Sequence, residues 1–60
     1  MKMWIARDPS GAICLHTEEP ILSSSVMGWL SEEWFILNED SFPEVTFENS
    51  PMEVELVLKK

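Results

Sequence analysis

Cys14 and His16 have the side chains best suited to metal binding or nucleophilic catalysis, and they lie two positions apart. On an extended strand, residues i and i+2 project from the same face, so the thiol and the imidazole would point the same way. Two such ligands can bind a metal, but a structural zinc site takes four, and no spacing requires Asp8 or Glu18 to complete one. We favour a small buried thiol beside a histidine packed on Trp4, and we predict no metal site.

Nucleophilic catalysis by Cys14 would need a base, and His16 is the only histidine. Side chains at i and i+2 usually lie too far apart for a direct hydrogen bond, and no glycine-rich elbow offers an oxyanion hole. A sheet of 60 residues also lacks room for a deep pocket of the usual volume, about 300 Å³ or more. Adjacent carboxylates occur at Glu18-Glu19, Glu32-Glu33 and Glu39-Asp40, and such neighbours are usually solvated surface charges and not catalytic pairs. The sequence therefore predicts no enzyme activity, no catalytic residue and no cofactor.

Tryptophans next to acidic residues form the best candidate for a binding surface. Trp29 and Trp34 bracket the acidic stretch at residues 31–33, and aromatic rings beside carboxylates can bind a cationic peptide or a sugar. The competing interpretation, which we favour for the two rings, is that both are core residues, because the chain has few other large side chains. The predicted interaction surface comprises Trp29, Glu32, Glu33, Trp34, Glu39 and Asp40.

The net charge of −7 and its distribution both bear on the class of partner. No lysine or arginine occurs from residue 8 to residue 58. Such a surface repels nucleic acid and anionic membranes, so neither is an expected direct ligand. We predict a non-enzymatic protein-interaction module that presents an acidic surface or a sheet edge to an unknown partner, for which a basic protein is the natural candidate. One form of this hypothesis is nucleic-acid mimicry. The alternative is a structural or accessory homo-oligomer, associating through the terminal strand or the tryptophan face.

The length of 60 residues predicts one small domain of marginal stability. A single cysteine excludes an internal disulfide, so the six large aromatic residues would have to supply the core. Neither a signal-peptide apolar region nor an apolar run of about 20 residues is visible. Together with a lone reduced thiol, these features favour a cytoplasmic location.

The last strand has the clearest pattern. Met52, Val54, Leu56 and Leu58 alternate with Glu53, Glu55, Val57 and Lys59, which is the period of a half-buried strand. As the longest apolar row, it is expected to be the surface on which other segments pack. We also expect it to pair with the first strand, with Lys2 and Arg7 near Glu53 or Glu55.

An N-terminal hairpin is predicted from strands at residues 3–7 and 12–17, joined by the turn Asp8-Pro9-Ser10-Gly11. The turn predicts a register that pairs residue 7 with 13 and residue 4 with 16. One side of the hairpin, here the core face, then carries Met3, Ile5, Ile13 and Leu15. The second face carries Trp4, Ala6, Ala12, Cys14 and His16, and it is apolar enough that another segment should cover part of it.

The middle of the chain is ambiguous. Residues 21–25 have no clear preference, and residues 26–37 fit either a helix or two strands, at 26–30 and 33–37, around a turn at 31–32; we favour the strands. Asn38 resembles a helix N-cap, so one short helical turn is predicted over Asn38–Phe42. The predicted fold is mainly β: a small antiparallel sheet of four to five short strands with this one helical turn.

Two strings near the ends of the sequence carry a family resemblance. They are residues 4–8 (WIARD) and residues 42–51 (FPEVTFENSP), the latter followed by Glu53-Val54-Glu55-Leu56. Together they resemble short acidic proteins of gut Bacteroides species and their mobile elements, over roughly half of the chain. The resemblance implies a single β-rich domain. It implies no catalytic residues, because we know of no activity assigned to that family.

Overall fold

A computed structural model describes residues 1–58, which form six short strands and no helix. The strands are β1 (Lys2–Arg7), β2 (Ile13–His16), β3 (Ile21–Ser23), β4 (Gly28–Leu30), β5 (Trp34–Leu37) and β6 (Met52–Glu55). An antiparallel sheet has the order β5-β2-β1-β6, and β3 pairs with β4 in a separate sheet. The mainly β prediction is confirmed, with six strands in two sheets instead of four or five in one. Over residues 1–58, no helix is long and apolar enough to cross a membrane.

The N-terminal hairpin has the predicted register, in which Arg7 pairs with Ile13 and Trp4 with His16. The amide of Asp8 donates to the carbonyl oxygen of Ala12 over 2.8 Å, and the amide of Gly11 donates to the carbonyl oxygen of Asp8 over 3.0 Å. Gly11 has φ of +102°, a conformation that only glycine adopts without a Cβ penalty. The turn therefore sets which side chains share a face of the sheet.

Strands occur in both favoured middle segments, but they do not pair with each other. β4 pairs with β3, whereas β5 pairs with β2, in the register Leu15–Phe35 and Ile13–Leu37. This register places Phe35 and Leu37 on the core face, where they extend its apolar surface. Residues 31–33 therefore connect the β3–β4 sheet to the four-stranded sheet.

The second face of the hairpin is covered, as expected, by the β3–β4 sheet, which contacts β1 through β4. Ala6 and His16 on this face are buried. The backbone N–H of Trp29 donates to Asp8 Oδ1 over 3.0 Å, and its ring Nε1–H donates to the carbonyl oxygen of Arg7 over 3.1 Å. A Cβ on Gly28 would lie 2.6 Å from the Asp8 carboxylate, so the absence of a side chain there permits this close docking.

The centre of the core lies on β1 and β2, and not on the last strand. Ile5, Ile13 and Val45 form the buried cluster, with Leu15, Leu37 and Val54 partly buried against it. β1 and β2 each have a paired strand on both sides, so their apolar side chains have side chains of adjacent strands on either side. The buried cluster is small, in keeping with a chain of this length.

The expectation for the last strand is half right. It pairs antiparallel with β1, and Lys2 Nζ lies 3.2 Å from Glu53 Oε2. However, β6 is an edge strand that ends at Glu55, and Met52, Leu56 and Leu58 are exposed, because an edge strand has a neighbour on only one side. Lys59, assigned to the opposite row, lies outside the described residues.

The predicted helical turn over Asn38–Phe42 is wrong. Asn38 accepts the amide of Asp40 at its side-chain oxygen over 2.9 Å, and its carbonyl accepts the amide of Ser41 over 2.9 Å. Phe42 then takes a left-handed φ of +52°, which a helix cannot continue through. Asn38 is therefore not a helix N-cap: its side-chain oxygen and its backbone carbonyl accept the hydrogen bonds of an isolated turn.

Candidate interaction site

The strand β5 is a free sheet edge with an apolar surface, and we call its four residues the β5 edge. β2 pairs with one side of it, and no backbone hydrogen bond from elsewhere in residues 1–58 reaches the other side. Trp34, Phe35 and Ile36 are 48%, 51% and 78% exposed. Edge strands of soluble proteins often carry charged side chains that discourage pairing, and the four residues of β5 include none.

Acidic residues flank both ends of the β5 edge. Glu32 and Glu33 precede Trp34, while Glu39 and Asp40 follow Leu37 after one intervening residue. All four acidic residues are exposed, and in the described part of the chain none of their carboxylates forms an ion pair. The edge therefore presents an apolar centre between two negative ends.

Arg7 positions the acidic residues at the carboxyl end of β5. Its guanidinium contacts only backbone carbonyls: Nε donates to Val45 (2.6 Å), Nη1 to Gly11 (2.7 Å) and Glu39 (3.2 Å), and Nη2 to Ser41 (3.0 Å) and Phe42 (3.2 Å). The expected proximity of Arg7 to Glu53 or Glu55 is wrong, because carbonyls of the loop after β5 and of the β1–β2 turn accept the hydrogen bonds of its guanidinium. Sequence reasoning missed this role, since backbone acceptors leave no signal in the sequence.

A hydrogen-bond chain from the buried sheet holds the start of β5. Ser31 Oγ lies 2.8 Å from His16 Nδ1 and donates its proton to the carbonyl oxygen of Glu33 over 2.9 Å. Because the hydroxyl has one proton, the Nδ1 atom has to be the protonated nitrogen of the neutral ring. His16 thereby fixes the backbone from which the first two acidic side chains project.

Burial governs the chemistry of His16 and Cys14. His16 is 1% exposed, its Nε2 has no partner in the described residues, and desolvation lowers its pKa, against a smaller opposing effect of Asp8. Desolvation raises the pKa of the half-buried Cys14 thiol, and the charge of Asp8 adds to this rise. Both groups are thus held neutral at pH 7. Among residues 1–58, no three acidic, cysteine or histidine side chains form a group that could hold a metal.

Five of the six residues predicted for the interaction surface lie in or beside the β5 edge, and Trp29 does not. Trp29 is half buried, hydrogen bonded to the end of β1, and packed against Phe47 with ring centroids 6.1 Å apart. Trp29 is therefore partly covered but does not belong to the buried core, and Trp34 is exposed, so the favoured interpretation of both rings as core residues is not confirmed. The two tryptophans lie in different sheets, Trp29 in β4 and Trp34 in β5, and the aromatic partner of Trp29 is Phe47.

Two surface cavities adjoin the β5 edge. One, of about 360 Å³, is lined by Thr17, Glu18, Glu32 and Glu33 and lies at the start of β5. The other is an apolar groove of about 420 Å³ on the core face, which includes Leu37 in its lining. The edge thus joins an acidic depression to an apolar surface.

Comparison with known proteins identifies no relative, since no family model, characterised protein or solved structure matches the chain. The resemblance to short acidic Bacteroides proteins stays a prediction.

Proposed function

We propose that this chain is a non-enzymatic protein-interaction module that binds an extended polypeptide segment along the β5 edge. The observation that carries the proposal is a strand whose outer side is unpaired within residues 1–58 and whose side chains are mainly apolar and exposed. A partner segment that adds as a fifth strand would satisfy the outward backbone N–H and C=O groups.

The side chains of the β5 edge are of the types that dominate binding energies at interfaces. Trp34 and Phe35 are large and rigid, and they lose little conformational freedom when a partner covers them. The two faces of the edge differ, since Trp34 and Ile36 share the side of His16 and Cys14 while Phe35 lies on the core face. Alternate residues of a bound strand would therefore meet two different surfaces, which supports selectivity as well as affinity.

Charge favours a partner segment with basic residues. If the β5 edges of two copies paired with each other, the acidic ends of one copy would lie beside the acidic ends of the other in either orientation. Like charges placed opposite each other on adjacent strands are destabilising. Lysine or arginine residues at an end of the partner segment would instead be attracted, and they would mainly raise the rate of association and the selectivity.

Nucleic-acid mimicry receives less support than strand addition. The two acidic pairs are separated by the four residues of β5, of which three are exposed and apolar, and by Asn38. A phosphate backbone presents charge continuously and has no apolar interval of this kind. The proposal therefore concerns a basic polypeptide segment that also contributes apolar side chains.

Selection of binding peptides from a random library tests the proposal, with the two variants Ile36→Lys and Leu22→Lys as the matched pair. Both replace an exposed apolar strand residue by the same charged residue, in β5 and in β3 respectively. Selected peptides should combine apolar residues with lysine or arginine, should bind the Leu22→Lys variant, and should lose at least about tenfold in affinity for the Ile36→Lys variant. Equal binding to the two variants would refute the proposal.

A further inference from the structure

We propose that the segment bound at the β5 edge is residues 56–60 of a second copy of this chain, so that copies associate head to tail. The inference rests on the proposed function and names its partner. Leu56, Val57 and Leu58 follow β6 and are 54%, 73% and 83% exposed. Lys59 and Lys60 come next in the sequence, so an exposed apolar run is followed directly by two bases.

The two segments are complementary residue by residue in an antiparallel register. A glutamate and a tryptophan meet the two lysines, and three apolar residues meet three apolar residues. The pairs are Glu33 with Lys60, Trp34 with Lys59, Phe35 with Leu58, Ile36 with Val57, and Leu37 with Leu56. In this register Phe35, Leu37, Leu56 and Leu58 share the core face, as the pairings of β5 with β2 and of β6 with β1 require. The antiparallel orientation also continues the pattern of the sheet, in which every neighbouring pair of strands is antiparallel.

The acidic depression at the start of β5 explains why the lysines belong at this end. It has a volume of about 360 Å³ and brings Glu18 together with Glu32 and Glu33. Three carboxylates therefore lie at the start of β5, compared with two at its other end, where Glu39 is followed by Asp40. A parallel register would place the lysines at the less acidic end, so charge favours the antiparallel one.

The contact has to be made between different molecules. β5 and β6 are opposite edges of the four-stranded sheet, separated by β2 and β1. Neighbouring strands lie about 4.8 Å apart, so the two edges of one molecule are about 14 Å apart with the sheet between them. Edge-to-edge addition joins the β6 side of one copy to the β5 side of the next, and such a heterologous contact produces either open chains or a closed ring.

Charge reversal in matched pairs tests the inference by sedimentation of the full chain at low salt, from about 10 μM to 1 mM. The wild-type protein should associate increasingly with concentration. The E32K/E33K variant and the K59E/K60E variant should each weaken association at least about tenfold when alone. A 1:1 mixture of the two should associate again, because each variant then offers a segment complementary to the edge of the other. The E39K/D40K variant changes the charge equally at the other end of β5 and should associate as the wild type does.

Each remaining outcome opposes the inference. A wild-type protein that stays monomeric up to about 1 mM overturns it, as does a mixture that fails to associate. Loss of association in E39K/D40K with retention in E32K/E33K overturns the antiparallel register. A monomeric wild type whose selected peptides still depend on Ile36 would leave strand addition at β5 intact and assign its partner to a different protein.

Discussion

Replacement of Arg7 by methionine should destabilise the protein far more than its half-exposed position suggests. Three of its five bonds to carbonyl oxygens, those to Val45, Gly11 and Ser41, are partly buried. A net contribution of about 1 kcal/mol for each of these gives a loss of about 3 kcal/mol, and the two exposed bonds add little. A domain of 60 residues has a total stability of about 3–9 kcal/mol, so this is a large fraction.

The measurement is urea denaturation at 25 °C, followed by tryptophan fluorescence, with Lys2→Met as the matched control. That variant also removes one positive charge, but it breaks only the exposed ion pair with Glu53, which contributes at most about 1 kcal/mol. If Arg7→Met is too unstable to fold, Arg7→Lys provides the comparison, because an ammonium reaches some of the same carbonyls and should give an intermediate loss. An Arg7→Met variant no less stable than Lys2→Met would refute the positioning role of Arg7.

Two further predictions concern the core and the buried histidine. Ile13→Ala should reduce the free energy of unfolding by about 2–5 kcal/mol, because Ile13 is fully buried, whereas Ile36→Ala on the exposed edge should change it by less than about 0.5 kcal/mol; equal losses in denaturation would contradict the assigned core. Since the pKa of His16 is lowered on folding, the unfolded chain takes up the proton first, and stability should fall as the pH drops below about 6.5. The decline should level off once the folded protein is protonated as well. Denaturation midpoints at pH 7.5 and 5.5 should differ less in His16→Asn than in the wild type, and an unchanged difference would assign the pH dependence to other groups.

Local patterns were enough to predict the first hairpin in detail. Asp8, Pro9 and Gly11 specify a turn of defined length, and a turn of defined length fixes the register of the strands beside it. The alternation of Met52 to Glu55 likewise identified a strand, which does pair with β1. The exposure of Glu32 and Glu39 also follows from their residue type: carboxylates are costly to bury, so the sequence alone places them in water.

The failures have a common physical origin in contacts between distant parts of the chain. Trp29 and Trp34 have equal tendencies to be buried, and only the docking of β4 on the end of β1 distinguishes them. The turn at Asn38 looks like a helix start, yet its carbonyl groups are bound by Arg7, which is more than 30 residues away.

The sequence by itself determined the strand-rich fold, the first hairpin and its register, and the acidic character of the surface, because these follow from turn chemistry, side-chain alternation and charge. Only the tertiary structure decided that β4 leaves the main sheet, that β5 is an exposed edge and that Arg7 holds the following loop. Those outcomes depend on which strands compete successfully for the two sides of β1 and β2, and that competition is settled by packing and backbone hydrogen bonds across the whole chain.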